Sequence, residues 1–200
     1  MLITPTMAPT LAPPLHVSEC FNTDTPITLD ALRGRVVVVH AFQMLCPECV
    51  AQGLPQAMKV HKLFPSSEVV VLGLHTVFEH HDVMGPNALK VFLHEYRIGF
   101  PVGVDLPSTD HPVPTTMHAY GLRGTPSLIV IDRSGRVRLN HFGHMDDLQL
   151  GALLGTLLSE SSPQSIGPAT ADHKHRVSAD DMGGDCDDDQ CAAPGQGATV

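Results

Sequence analysis

The sequence predicts an α/β domain, a central mixed β-sheet flanked by helices, and three observations lead there. The run VVVVHAF at 36–42 suits a strand buried on both faces, as parallel strands are. Strand-like and helix-like periods then alternate as far as residue 97, the pattern of crossover units on a parallel sheet. Further on, SLIVIDRSGRVRLNHF holds two strand-like runs joined at Arg133-Ser134-Gly135, a hairpin signal that adds antiparallel strands.

Taken in order, residues 1–16 are proline-rich and lack either apolar period, so they read as an extended, poorly ordered arm. The domain is placed at 17–159. TPITLDALRGR gives a short strand or turn with Leu29 and Leu32 pointing inward, and Gly34 as a hinge into the valine strand. From Pro47, the helical spacing of Val50, Leu54, Met58 and Val60 predicts a helix to about Phe64, kinked at Pro55. EVVVLGLH is a second strand, and PNALKVFLHEYR an amphipathic helix with proline in its first turn. Between Phe100 and Thr116 four prolines leave a short strand, PVGVD, and a long loop. The last helix spans Asp146 to Leu158, with Asp146 or Asp147 near its start. Residues 160–200 turn to Ser, Gly, Pro and Asp without apolar spacing and read as a disordered tail.

Composition narrows the function. A net charge of -9 with scattered lysines and arginines disfavours nucleic acid and anionic membrane surfaces as partners. The longest apolar runs fall far short of the roughly 20 residues that span a bilayer. The proline-broken N-terminus does not read as a secretory leader, so a cytoplasmic protein is expected, or a periplasmic one if a leader is missing. Five cysteines make an odd set, which argues against a stapled extracellular scaffold and turns attention to redox or metal chemistry.

Cys46 and Cys49 stand two residues apart at the junction between the valine strand and the following helix. A cysteine at a helix N-terminus meets the positive end of the backbone dipoles, which favours the thiolate, the form that attacks disulfides. Cys46 is assigned as nucleophile, and Cys49, within one helical turn, as the residue that resolves the intermediate. Two inert buried thiols, or half of a metal site completed elsewhere, are the competing readings.

With these residues in view, GRVVVVHAFQMLCPEC and YGLRGTPSLIVIDRSGRV resemble the thioredoxin superfamily. Within it they are similar to TlpA-like and redoxin (AhpC/TSA-related) thiol-disulfide oxidoreductases, over about Leu15 to Leu158. The resemblance implies a thioredoxin-like fold, a cis bond at Thr125-Pro126 facing the cysteines, and a Thr125 backbone that pairs with a substrate strand. It also implies a disulfide in a protein substrate, an electron donor, and no organic cofactor. His40 lies where relatives carry a polar or acidic group; it is either a proton relay for Cys49 or a core histidine. Glu48, inside the motif, opposes thiolate formation at Cys46 and argues for a reductant-like potential. Two features depart from the family: Leu45 replaces an aromatic, and Pro55 falls six residues after Cys49 where relatives have five.

Other groups carry alternatives. A peroxiredoxin-like peroxidase needs Thr or Ser three residues before its cysteine, where Gln43 stands. His75, Glu79, His80, His81 and Asp82 follow the second strand, where α/β sheets place ligand sites. They read as a transition-metal site, as a loop supplying Glu79 for acid-base work, or as a solvated loop. In the tail, Cys186 and Cys191, with His173 and His175 upstream, suggest a dithiol shuttle, a metal chelator joined with Cys46 and Cys49, or incidental residues. Cys20 reads as a small core filler.

Overall fold

The computed structural model describes residues 10–160. At its centre lies β2 (Val36–Phe42), buried along its whole length. It pairs in parallel with β3 (Val69–His75) and antiparallel with β5 (Ser127–Ile131). With β1 (Val17–Phe21), β4 (Val102–Asp105) and β6 (Val137–Phe142) the sheet is six-stranded and mixed, in the order β1-β4-β3-β2-β5-β6. Alternation along β2 divides the core. Val36, Val38 and Phe42 pack with Leu54, Ala57 and Val60 of α1 (Leu54–Leu63), Leu89 and Leu93 of α2 (Pro86–Glu95), and Leu150, Leu154 and Leu157 of a C-terminal helix. Val37, Val39 and Ala41 face the opposite layer, with Ile27, Met117, Tyr120 and Leu122.

Several elements differ from the sequence reading. VSECF forms the antiparallel edge strand β1. Where the expected long loop after β4 ends, a short helix begins, α3 (Thr115–Ala119). Of the strand or turn expected around Leu29, the turn forms, as a 3-10 turn at Asp30–Leu32. Around Pro55 the helix changes its hydrogen-bond pattern. The helical backbone runs from Pro47, opens into a π-turn over Cys49–Gly53, and continues as α1 with Pro55 in its first turn. A π-turn accommodates one residue more than an α-turn, which absorbs the additional residue between Cys49 and Pro55 and relieves the carbonyl that the proline ring would otherwise crowd. The C-terminal helix, α4 (Asp147–Ser159), begins at Asp146, whose carboxylate accepts the Leu148 N–H.

The sequence reading put the domain boundary at residue 17, but residues 10–16 are already tied to the sheet. Leu11 bridges to Arg136, the Ala12 N–H donates to the Gly135 carbonyl at 2.9 Å, and Tyr120 donates its hydroxyl to Pro13 at 2.7 Å. The tail, with Cys186 and Cys191, lies outside the described residues.

Asp105, at the end of β4, caps α3 from a distance in sequence. Its buried carboxylate accepts from the Thr116 N–H at 2.8 Å, the Met117 N–H at 2.9 Å and the Thr76 hydroxyl at 2.9 Å. Burial nevertheless pushes its pKa upward. Asparagine offers one acceptor where the carboxylate offers two, so Asp105→Asn leaves a donor unpaired and should cost about 1–3 kcal/mol. Urea unfolding reads this directly, and a loss below about 0.5 kcal/mol would mean the site is wet or adaptable.

Candidate active site

Cys46 occupies the N-cap of the helix. Its carbonyl accepts the first intrahelical bond, from the Val50 N–H at 3.1 Å, and Pro47 follows at the position where a missing N–H costs nothing. The Cys49 N–H points at the Cys46 sulfur, 3.3 Å away, and that sulfur stands 3.5 Å from the Thr125 carbonyl oxygen. The Thr125-Pro126 bond is cis. Cys46 is half-buried, whereas Cys49 has no exposed surface. Burial first, and then the hydrogen bond and charge of the neighbouring Cys46, push the Cys49 thiol up to about 12. The two sulfurs are therefore unequal: one faces the surface, the other is buried and holds its proton.

A cavity of about 380 Å³ opens beside Cys46. Leu45, Phe78, Met84 and Phe142 give it apolar walls, Gly124 and Thr125 line one side, and Gln43 and Glu79 supply a polar end. Gln43 donates its amide N–H to the Glu79 carboxylate at 3.3 Å. Phe142 packs against Gly124 so closely that a Cβ there would lie 2.9 Å from Cε2, and the Arg123 guanidinium stands 5.1 Å from the centre of the same ring. The sequence reading did not anticipate Phe142 or Gly124 in this groove, because β6 and the turn before β5 meet only across the sheet.

His40, on the face of β2 that it shares with Phe42, is 2% exposed, and its Nδ1 has no hydrogen-bond partner. Burial, aided by the neighbouring His144, lowers its pKa to about 4, so it is a neutral imidazole at physiological pH. The histidine-rich loop divides. His75 is the last residue of β3 and fully buried, its Nε2 accepting the Met44 N–H at 3.4 Å. It belongs to the core and not to the loop with which the sequence reading grouped it, because strand pairing with β2 runs through it. His80, His81 and Asp82 are exposed, and only Glu79 and His80 reach the groove. Among the described residues no three His, Cys, Asp or Glu side chains gather as a metal site. Cys20, half-buried on β1, packs at the edge of the second core layer.

The chain matches the AhpC/TSA family over residues 8–140. It is 57% identical to a thioredoxin-like superfamily protein of known structure, covering 76% of this chain and 99% of that one at a TM-score of 0.75. It is 55% identical to a thiol-disulfide isomerase from Corynebacterium glutamicum, covering 75% and 98% at a TM-score of 0.72. Protein DipZ of Mycobacterium bovis is 27% identical over 138 residues, which are 69% of this chain and 19% of DipZ. The chain thus spans about a fifth of the length of the curated relatives it matches. The match over most of the described domain, together with the fold, makes the chain a member of the AhpC/TSA family with a thioredoxin-like fold.

Proposed function

We propose that this enzyme reduces or exchanges disulfides in protein substrates through Cys46 and Cys49. The observation that carries the reading is the inequality of the two sulfurs: Cys46 at the helix N-cap beside an open groove, Cys49 buried beneath it with its pKa raised to about 12. In the first step the Cys46 thiolate attacks one substrate sulfur, an S–S bond forms between enzyme and substrate, and the other substrate sulfur leaves as a thiolate. In the second, Cys49 gives up its proton and attacks the Cys46 sulfur, which releases the reduced substrate and leaves the enzyme as a disulfide. Two electrons pass to the substrate, and a dithiol donor restores the enzyme. The substrate thiolate released in the first step is the strong base that can take the Cys49 proton, and His40, buried with an unpaired ring nitrogen, is a weaker candidate relay because burial lowers its basicity; the Thr125 backbone is the candidate edge for an extended substrate strand beside Pro126. Glu79, hydrogen-bonded to Gln43 in the groove, is a second acid-base candidate.

The C. glutamicum relative's description as a thiol-disulfide isomerase supports this reading. A Cys49→Ala variant mixed with oxidised insulin should accumulate a covalent adduct that mass spectrometry maps to Cys46. An adduct at Cys20 or in the tail, or none at all, would overturn the proposal.

A further inference from the structure

Gly53 stands in the last position of the π-turn with φ -66° and ψ -53°, ordinary right-handed helical values. Its backbone therefore needs no glycine, and glycine costs a helix about 1 kcal/mol relative to alanine. The reason lies in the space above it. A Cβ at residue 53 would overlap His40 Cε1 and come 2.6 Å from His40 Nε2. The imidazole edge fills the place of the missing side chain. Both residues are buried, so neither partner has solvent to retreat into.

The contact bears on Cys49 through one hydrogen bond. The π-turn is closed by the Leu54 N–H donating to the Cys49 carbonyl, five residues back, and Gly53 immediately precedes that donor. Moving Gly53 away from His40 moves the group that holds Cys49.

We infer that Gly53 is a positioning residue for the resolving thiol: the notch left by its absent side chain seats the His40 ring, and this fit sets the register of the π-turn that carries Cys49. The inference rests on the reading of Cys49 as resolver. An added methyl at residue 53 displaces either the ring or the turn, and either displacement separates Cys49 from the geometry it needs to attack the Cys46 sulfur. Cys46 has anchors of its own outside the turn, its N–H donating to the Gln43 carbonyl at 3.1 Å and its sulfur standing 3.5 Å from the Thr125 carbonyl oxygen.

A double-mutant cycle over Gly53→Ala, His40→Ala and the pair tests it. Two rates are read with a peptide disulfide: the bimolecular attack by Cys46, and the unimolecular release of the peptide thiol by Cys49. Gly53→Ala is expected to slow release about tenfold or more while changing attack less than about threefold, since small misplacements act on the step they misalign. In the His40→Ala background the same alanine should change release less than about twofold, because the notch is then empty. The pH profile of release should shift in Gly53→Ala, a change that lowered stability alone does not produce. If Gly53→Ala does not fold, a folded His40→Ala/Gly53→Ala pair still supports the fit, and an unfolded pair overturns it. Equal slowing in both backgrounds, or none in either, also overturns it. Release as fast in Cys49→Ala as in the native protein would remove the resolving role itself, a result separate from the cycle.

Discussion

Cys46→Ser is expected to abolish disulfide reduction, with insulin turnover falling by about 10³-fold or more, as for other nucleophile replacements. The serine oxygen keeps the size and the N-cap bond but cannot form the mixed disulfide, and Cys49 cannot substitute for it. Cys49 has no exposed surface, and burial, the largest cause of its raised pKa, persists in the variant and keeps the thiol protonated. The reverse change has a different signature. Cys49→Ser should still form one equivalent of mixed disulfide and then stop, since attack precedes resolution. Alkylation of the reduced enzyme at pH 7 reports the same asymmetry, with Cys46 labelled and Cys49 protected until denaturant is added. Turnover by Cys46→Ser within about tenfold of the native rate would transfer the chemistry to another thiol and defeat the assignment.

The parts of this site that were legible from sequence are those written in contiguous residues. The valine run announces a strand covered on both faces, and β2 is one. Cys46 and Cys49 lie where a strand ends and a helix begins, and the resemblance carried by GTPSLIV extended to the cis bond at Pro126. Period-two alternation put His40 on the face of Phe42, the layer in which Cys49 is buried. What escaped depends on partners distant in the chain. VSECF has no marked apolar period because β1 is an edge strand paired on one side, and five-residue α3 is held by a carboxylate ten residues upstream of its start. His75 reads both as the last residue of EVVVLGLH and as the first of a histidine cluster, and pairing opposite Phe42 of β2 keeps it in the core. Neither the π-turn nor the seating of His40 against Gly53 has a local sequence signal; glycine in a helical stretch was the available clue, and its meaning needed the strand beneath it.

Acidification should destabilise this protein well above the range where most carboxylates titrate. His40 and His75 are both buried, and burial lowers each from 6.5 to about 4. Between those limits the unfolded chain binds two protons that the native state refuses, so the stability both contribute is complete above pH 6.5 and drains as the pH falls toward 4. Each shift corresponds to about 3 kcal/mol at full extent, against a total of about 5–15 kcal/mol for an ordinary domain. Asp105 acts with the opposite sign: its pKa is raised, so its ionised form costs stability that is recovered in acid, which offsets part of the loss. Asp132 and Asp147, whose pKa values are lowered, add their own losses only as the pH falls from the ordinary carboxylate value of 3.8 through their lower native values. Urea midpoints for residues 10–160 should therefore drop steeply between pH 6.5 and 4.5, and His75→Gln, which keeps a polar acceptor but no titrating ring, should flatten the slope by about one proton. Midpoints that stay level across that interval would mean the two imidazoles are hydrated or paired in solution, and the neutral state assigned to His40 would lose its physical basis.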